Sequence, residues 1–312
     1  TLNLNYTKKL FRSSQVDLSY RRMVSQQQWF GSDQVLTVLN EQVQLKDGEI
    51  TLLLRQGVNL ATVVVKNSTG NIIYRPNFDY VLIQQNNFVQ IERVRGGQIA
   101  NTDIVFVDYQ AVQPGNYSYT SNSYQFYGGL SLFDRKLGLY VRRSVQDYSD
   151  LKKTEFLTLN YFDEWVYGIK LDFRFLTGGA EYDNNINNTV LPYKLYRYYL
   201  HARGTVLGRL SLFANGNYNH YLQLGREKNI NYLDLSGNMN YPVSRKASIS
   251  GGAAYMKQDG DKINLDLLTC RARFDWLFYK IRGSLVYNYY DRRVFQEHIR
   301  SHAVNIELAR RF

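Results

Sequence analysis

The C-terminal segment of the chain alternates between apolar and polar side chains. Val304, Ile306 and Leu308 occupy every second position, Asn305 and Glu307 lie between them, and the chain ends in Phe312. Successive side chains of a β-strand point to opposite faces, so this pattern places an apolar row on one face and a polar row on the other. The sequence therefore predicts an amphipathic strand at this end.

Composition is compatible with a membrane protein built from strands. The 312 residues are 44% hydrophobic, enough for a core or a lipid-facing belt, and no run of eighteen apolar residues exists. A transmembrane helix is thereby excluded. The mean hydropathy of −0.40 would ordinarily favour a soluble protein, but alternating strands that cross a membrane look polar when averaged.

The net charge and the cysteine content limit which partners and which cross-links the chain can have. The net charge of +11 is spread along the chain rather than gathered in a tail, which favours a basic surface or lumen and argues against nucleic-acid binding. The single cysteine, Cys270, excludes an internal disulfide. A start at Thr1 without a charged and apolar leader is expected of a mature exported protein or of a fragment.

Three regions differ in pattern. Residues 1–30 alternate as a hairpin, with Leu2, Leu4 and Tyr6 on one face. Residues 31–115 contain shorter, β-branched runs and predict a small β-sandwich with strands at 35–45, 50–55, 60–66, 71–74, 80–84, 88–93 and 103–110. Residues 116–312 return to long alternating strands, predicted at 123–133, 136–148, 154–163, 165–176, 194–207, 208–224, 229–243, 246–258, 263–278, 279–292 and 298–312.

These long strands together with Phe312 resemble bacterial outer-membrane β-barrels, in which a C-terminal aromatic on an amphipathic strand is the assembly signal. Arg310 departs from that signal, because the family usually has an apolar residue there. The resemblance implies a transmembrane antiparallel β-barrel in the bacterial outer membrane, with the lipid bilayer and the barrel-assembly machinery as partners. Single-chain barrels have even strand counts, whereas thirteen are predicted. Either 116–122 is a further strand or part of the barrel lies outside this sequence.

The lengths of the connections predict orientation. Short turns are expected at 134–135, 163–164, 207–208, 244–245 and 278–279, and longer loops at 149–153, 177–193, 225–229, 258–262 and 293–297. In these barrels short turns are periplasmic and long loops extracellular. Counting back from a periplasmic C-terminus places the inserted sandwich outside the cell.

Alternation also assigns the two faces of the strands. The predicted lipid face carries Leu139, Ile169, Leu200 and similar residues, and no charge. The opposite face is predicted to line a lumen and is mainly basic, so it should favour anions. Its proposed anion path consists of Arg142, Lys170, Arg174, Arg197, His201, Arg203, Arg209, Arg271, Arg273, Arg282 and Arg292. Two alternatives remain: these residues pair with carboxylates across strands to hold the wall together, or the strands form a soluble sandwich with a basic face.

No constellation in the sequence points to catalysis, a metal or a cofactor. His298 and His302 lie on one face of a strand but about 13 Å apart, too far to share a metal. No histidine belongs to a recognisable nucleophile motif, so we expect no enzyme activity. The acidic, Asn-rich segment 181–188 is predicted to be an external loop.

Two functions are consistent with these features. The first is an outer-membrane pore or export channel whose basic lumen favours anionic solutes or polymers such as acidic polysaccharide. In the second, the barrel is an anchor for a surface receptor or adhesin, or one part of a larger outer-membrane assembly, and residues 31–115 bind an extracellular protein. An exposed edge strand at 88–93 would then pair with the partner.

Overall fold

The computed structural model describes residues 1–11, 13–47, 51–152, 157–190, 192–206, 208–223, 229–260, 264–294 and 297–310. Within these ranges the chain is all-β, and none of the described residues belongs to a helix that could cross a membrane. Its strands are β1 Leu2–Lys9, β2 Gln15–Trp29, β3 Gln34–Gln44, β4 Thr51–Leu52, β5 Val58–Lys66, β6 Tyr80–Gln85, β7 Phe88–Arg93, β8 Ile104–Gln113, β9 Tyr117–Leu132, β10 Leu137–Lys152, β11 Phe162–Asp172, β12 Leu176–Asn187, β13 Tyr193–Val206, β14 Leu210–Gln223, β15 Ile230–Ser244, β16 Ala247–Asp259, β17 Leu265–Phe278, β18 Ile281–Val294 and β19 Glu297–Arg310.

Thirteen of these strands form one antiparallel sheet. Their order is β1, β2 and then β9 to β19 in sequence, so every neighbour is joined by the shortest connection except β2 and β9, which flank residues 31–115. The described residues show no pairing between the edge strands β1 and β19. The antiparallel sheet predicted from alternation is therefore present, whereas closure into a barrel is not seen.

The two faces of this sheet separate largely as alternation predicts. The prediction that the lipid face carries no charge is wrong, because Arg143 on β10 and Asp163 on β11 share the face of Leu139 and Ile169. In the register between β10 and β11, Leu139 lies opposite Ile169, whereas Gly138 lies opposite Lys170. Continued across the sheet, this pairing collects the predicted lipid-facing residues on one surface, the apolar face, and most of the predicted lumen residues on the other, the polar face. Many large side chains of the apolar face are exposed, among them Leu200 and Leu235.

The strand prediction fails between residues 154 and 193. The turn predicted at 163–164 is wrong, because Asp163 and Glu164 lie inside β11. The strand predicted at 154–163 begins outside the described residues and is wrong over 157–161, which belong to no strand. The loop predicted over 177–193 is mostly β12, and the segment 181–188 is largely part of that strand rather than an external loop. The total stays at thirteen because one false strand replaced one missed strand. Residues 117–122 extend β9 and add no further strand.

Residues 31–115, hereafter the insert, contain two three-stranded sheets, β3-β8-β5 and β4-β7-β6. Six of the seven predicted strands are present, and 71–74 contributes only an isolated bridge between Lys66 and Ile73. The two sheets share one buried cluster that includes Val65, Val89, Ile91 and Val107. β7 is the central strand of its sheet, so the predicted exposed edge at 88–93 is wrong.

One polar network organises the core of the insert. The phenol of Tyr109 is 1% exposed and donates a hydrogen bond to Glu41. Burial, together with the hydrogen bond to Glu41, raises the pKa of Tyr109, so the phenol remains a donor throughout the physiological range. A buried hydroxyl with a partner avoids the desolvation cost that an unpaired one would carry.

The strand connections define two ends of the large sheet. β2 leaves for the insert and β9 returns at the same end, where Trp29 pairs with Tyr117; we call this the insert end. The opposite, turn end joins strands through two to five residues, as between β17 and β18. The longest connections lie at the insert end, as between the end of β10 at Lys152 and the start of β11 at Phe162. The insert and the longer connections thus share one end, as predicted.

Truncation of Ile91 to alanine should destabilise the insert. Ile91 is fully buried on β7, and deleting such a side chain costs about 2–5 kcal/mol through lost transfer energy and a residual cavity. Hydrogen exchange of β7 and β8 amides in the full-length protein would measure the loss. Leu39→Ala is the control, because Leu39 is 66% exposed; equal losses in both variants would contradict the assigned core.

Candidate functional site: the polar face and the docked insert

Nine of the eleven predicted lumen residues share the polar face. These are Arg142, Lys170, Arg197, His201, Arg203, Arg271, Arg273, Arg282 and Arg292. Arg174 lies in the turn between β11 and β12, and Arg209 lies in the turn before β14, so neither is placed by a strand. The end of the predicted assembly signal, Phe312, is outside the described residues.

Several of these cations have a carboxylate partner on the same face. Arg197 donates to Glu181 at 2.6 Å. Arg273 forms a two-point contact with Asp275 at 2.8 Å through both Nε and Nη2. Glu181 and Glu164 were not predicted for this face, because both lie in the segment whose strands were wrongly assigned.

Glu181 also organises its own neighbourhood. Tyr140 on β10 donates to Glu181, although β11 separates their strands. The ring crosses over Gly168, where an added Cβ would lie 2.1 Å from the Tyr140 Cζ atom. Glycine at this position therefore gives the tyrosine the space to reach across one strand, and Arg197, Glu181 and Tyr140 form a fixed polar group.

Arg203 and Arg271 differ from the paired cations. Within the described part of the chain, neither has a carboxylate within ion-pair distance. Arg271 lies opposite Asn288 on β18 and Gly252 on β16. Arginines without a counter-charge produce the net positive potential of the turn-end half of the polar face.

The insert contacts this face through two loops, residues 75–79 and residues 94–98, hereafter the docking loops. The fully buried carboxylate of Asp79 joins them, accepting hydrogen bonds from the backbone N–H of Arg75 at 2.8 Å and of Gln98 at 2.9 Å. Gly96 has φ +74°, a conformation that glycine adopts without strain. The two loops therefore present one shaped surface to the sheet.

Arg95 makes the main polar contact between the insert and the sheet. Its guanidinium donates to Asp234 on β15, lies 5.0 Å from the ring centroid of Tyr232, and has its Nε 3.5 Å from Asp47 of the insert. Arg95 is 2% exposed. Because Arg95 is buried, loss of a carboxylate partner would leave its charge poorly compensated.

Arg292 on β18 is buried under the docking loops and is 1% exposed. Its guanidinium lies 4.7 Å from the ring centroid of Phe78 and donates to the Phe78 carbonyl at 3.4 Å. No carboxylate of the described residues lies within ion-pair distance, and Nε has no hydrogen-bond partner there. An added Cβ at Gly96 would lie 2.9 Å from this Nε, so glycine is needed for the close approach.

Apolar contacts surround these two arginines. Val81 and Val94 of the insert form a buried cluster with Leu265, Leu267 and Val294 of the sheet. Tyr290 adds a hydrogen bond to the Gly96 carbonyl at 3.2 Å. Removing this apolar surface from water favours the docked arrangement.

Further hydrogen bonds join the insert to the connections at the insert end. Asn86 donates to the Asn188 carbonyl at 2.8 Å, and Asn87 donates to Thr158 at 3.0 Å. The insert thus covers the insert-end half of the polar face over β15 to β18. In the turn-end half, neither Arg271 nor Arg273 forms a hydrogen bond or an ion pair with the described part of the insert.

The sequence did not predict this docking. The only local signal is the pair of arginines, Arg93 and Arg95, shortly before Gly96-Gly97, which marks a basic loop. The pairing of Arg95 with Asp234 spans 139 positions, and no local pattern encodes so distant a contact.

No family model, curated protein or solved structure matches this chain. Among the described residues, no group of three or more His, Cys, Asp or Glu side chains could hold a metal. His298 bonds Asp291 at 2.9 Å, and His302 bonds Tyr287 at 2.9 Å, so the two histidines have separate partners on the apolar face.

Asp234→Asn should weaken docking by about 1–3 kcal/mol, because the buried Arg95 loses its sheet partner but keeps Asp47. Limited proteolysis of the docking loops would report the change. Asp172→Asn is the matched control: its pair with Lys170 is half exposed and contributes about 0–1 kcal/mol. Equal protease resistance of the Asp234→Asn variant and the unaltered protein would show that Arg95 does not hold the insert.

Proposed function

We propose that the large sheet is the wall of an outer-membrane β-barrel and that its polar face lines a channel for anionic solutes. The insert is a small sandwich that closes the channel at one end. The arrangement of Arg95, Asp234 and Arg292 between insert and wall carries this proposal, since it places the insert on the polar face rather than beside the sheet.

The distribution of aromatic residues on the apolar face supports a membrane-spanning wall. Near the insert end, Trp165, Tyr167, Tyr182 and Tyr196 form a continuous row with ring centroids 5.1–6.3 Å apart. At the turn end, exposed aromatic residues occupy the turns: Phe133, Phe175, Phe278 and Tyr279. Aromatic side chains favour the two membrane interfaces, where the ring is apolar and the polar tip stays wet.

The spacing of these two levels matches a bilayer. On β13, Tyr196 and Val206 are ten residues apart, which is about 33 Å along a strand and about 25 Å along the membrane normal at a tilt near 40°. The outward side chains between them are Tyr198, Leu200, Ala202 and Gly204. This row of outward side chains is uncharged, and it is as tall as the apolar band of known barrels.

Leu200→Arg should impair insertion of the protein into lipid vesicles by about 2–4 kcal/mol, because the arginine would lie near the membrane midplane. His201→Arg is the matched control, since the neighbouring position faces the polar side. Both variants are compared by folding into vesicles of outer-membrane thickness. A soluble sheet would instead tolerate both changes, because Leu200 is already 52% exposed.

Anion preference would come from the turn-end half of the polar face. Arg203 and Arg271 have no carboxylate partner among the described residues, so their charge is not cancelled locally. Asn238 and Asn288 lie on the same face and offer hydrogen bonds to a passing solute. Spaced donors with unpaired positive charge attract anions without holding them tightly.

The insert can be removed with little disturbance of the wall. Trp29 pairs with Tyr117, and the Gly31 N–H donates to Asn116 at 3.0 Å, so the chain enters and leaves the insert at neighbouring points. A short glycine turn joining residue 31 to residue 115 would convert β2 and β9 into a hairpin. This shortened protein serves as the reference for a channel that the insert does not close.

In planar bilayers we expect the shortened protein to conduct anions preferentially and the complete protein to conduct less. Arg203→Gln with Arg271→Gln in the shortened protein should move the reversal potential in a salt gradient toward zero. A shortened protein that folds into bilayers without conducting would contradict a channel. Loss of binding to a surface partner on deletion, without conductance, would favour the receptor or anchor function for residues 31–115.

A further inference from the structure

Resting on the proposed channel, we propose that the insert is a reversible gate and that Arg292 is the group that keeps its closed position only marginally stable. In the closed arrangement Arg292 is buried beneath the docking loops. In the open arrangement it returns to water as part of the basic wall.

The burial of Arg292 works against docking. A cation removed from water needs a counter-charge and a full set of hydrogen bonds to offset its lost hydration. Arg292 has a ring at 4.7 Å and one carbonyl at 3.4 Å, while its Nε has no partner among the described residues. The closed arrangement therefore contains a charge that is better solvated when the insert leaves.

Several contacts hold the insert against this cost, including the hydrogen bonds of Tyr290 to Gly96 and of Asn86 to Asn188. The cluster of Val81 and Val94 with Leu265, Leu267 and Val294 buries apolar surface, and Arg95 pairs with Asp234. The insert remains attached to β2 and β9 when these contacts separate, so it can return to the same place. Opposed contributions of this kind give a two-state element whose balance small changes can shift.

Opening would also change the charge of the channel. Arg292 lies on the polar face of β18, two positions along from Tyr290 and directly opposite Leu267 on β17. Once hydrated it adds a cation to the polar face that also carries Arg271 and Arg203. An anionic solute would then bind the open channel more strongly than the closed one and favour the open state.

The test measures undocking by the reactivity of a cysteine placed in the interface. Val94→Cys in a Cys270→Ala background puts a thiol in a position that is 0% exposed and within the apolar cluster. A membrane-impermeant thiol reagent is added to the full-length protein in vesicles. Val107→Cys, equally buried but inside the insert core, reports unfolding of the insert instead of undocking.

We expect Arg292→Met to slow modification of the Val94→Cys thiol about tenfold and Asp234→Asn to accelerate it about tenfold. Arg293→Met is the matched control, because Arg293 is the next residue on the same strand and faces the opposite side; it should leave the rate unchanged. The Val107→Cys thiol should stay unreactive in all variants.

Two results would overturn the proposal. Faster modification in the Arg292→Met variant, with Val107→Cys still protected, would make Arg292 a contact that holds the insert. Equal rates in all variants would make the insert a fixed plug. Conductance recordings distinguish this failure from failure of the channel itself. If the shortened protein conducts and the thiol rates do not change, the channel is retained and the gate is excluded. If the thiol rates change but the shortened protein does not conduct, the insert undocks but the channel is excluded.

Discussion

The two-residue period of the β-strand is the constraint on which the structure depends. Most long strands of the thirteen-stranded sheet carry one mainly apolar and one mainly polar row, and the antiparallel register brings like rows together across the sheet. The result is a surface of exposed leucine, isoleucine and tyrosine that water does not favour. The proposed membrane location follows from this surface, and the proposed channel follows from the opposite one.

The positive charges of the polar face are accommodated in two ways. Where carboxylates are available, as at Glu181 and Asp275, they pair with arginines and fix the wall. Where they are not, the insert or solvent must accommodate the charge. Arg95 and Arg292 illustrate the contrast, because both are buried at the same interface but only Arg95 has carboxylate partners. In the proposed gate, this difference makes docking of the insert specific without making it permanent.

Alternation was sufficient to predict the face of nearly every strand, since Leu139, Leu200 and Leu285 repeat the same apolar spacing. It was insufficient for β12, where Gly178, Gly179 and a run of asparagines have weak strand preference and resemble a loop. Within β12, Glu181 and Asp183 nevertheless alternate with Ala180 and Tyr182, and that pattern could have identified the strand. The docking of the insert could not be predicted in this way, because it joins positions such as Arg95 and Asp234 that no local period relates.

The direction of the edge strands constrains any closure of the sheet into a barrel. β1 runs from the insert end to the turn end, and β19 runs the same way because the order from β1 to β19 contains an odd number of antiparallel strands. Direct pairing of β1 with β19 would therefore be parallel, whereas one additional strand between them would make every pair antiparallel. Both edges carry unpaired backbone groups beside exposed apolar side chains, such as Leu4 on β1 and Ile306 on β19. In a bilayer those groups require a strand partner, so closure and membrane insertion are a single physical requirement.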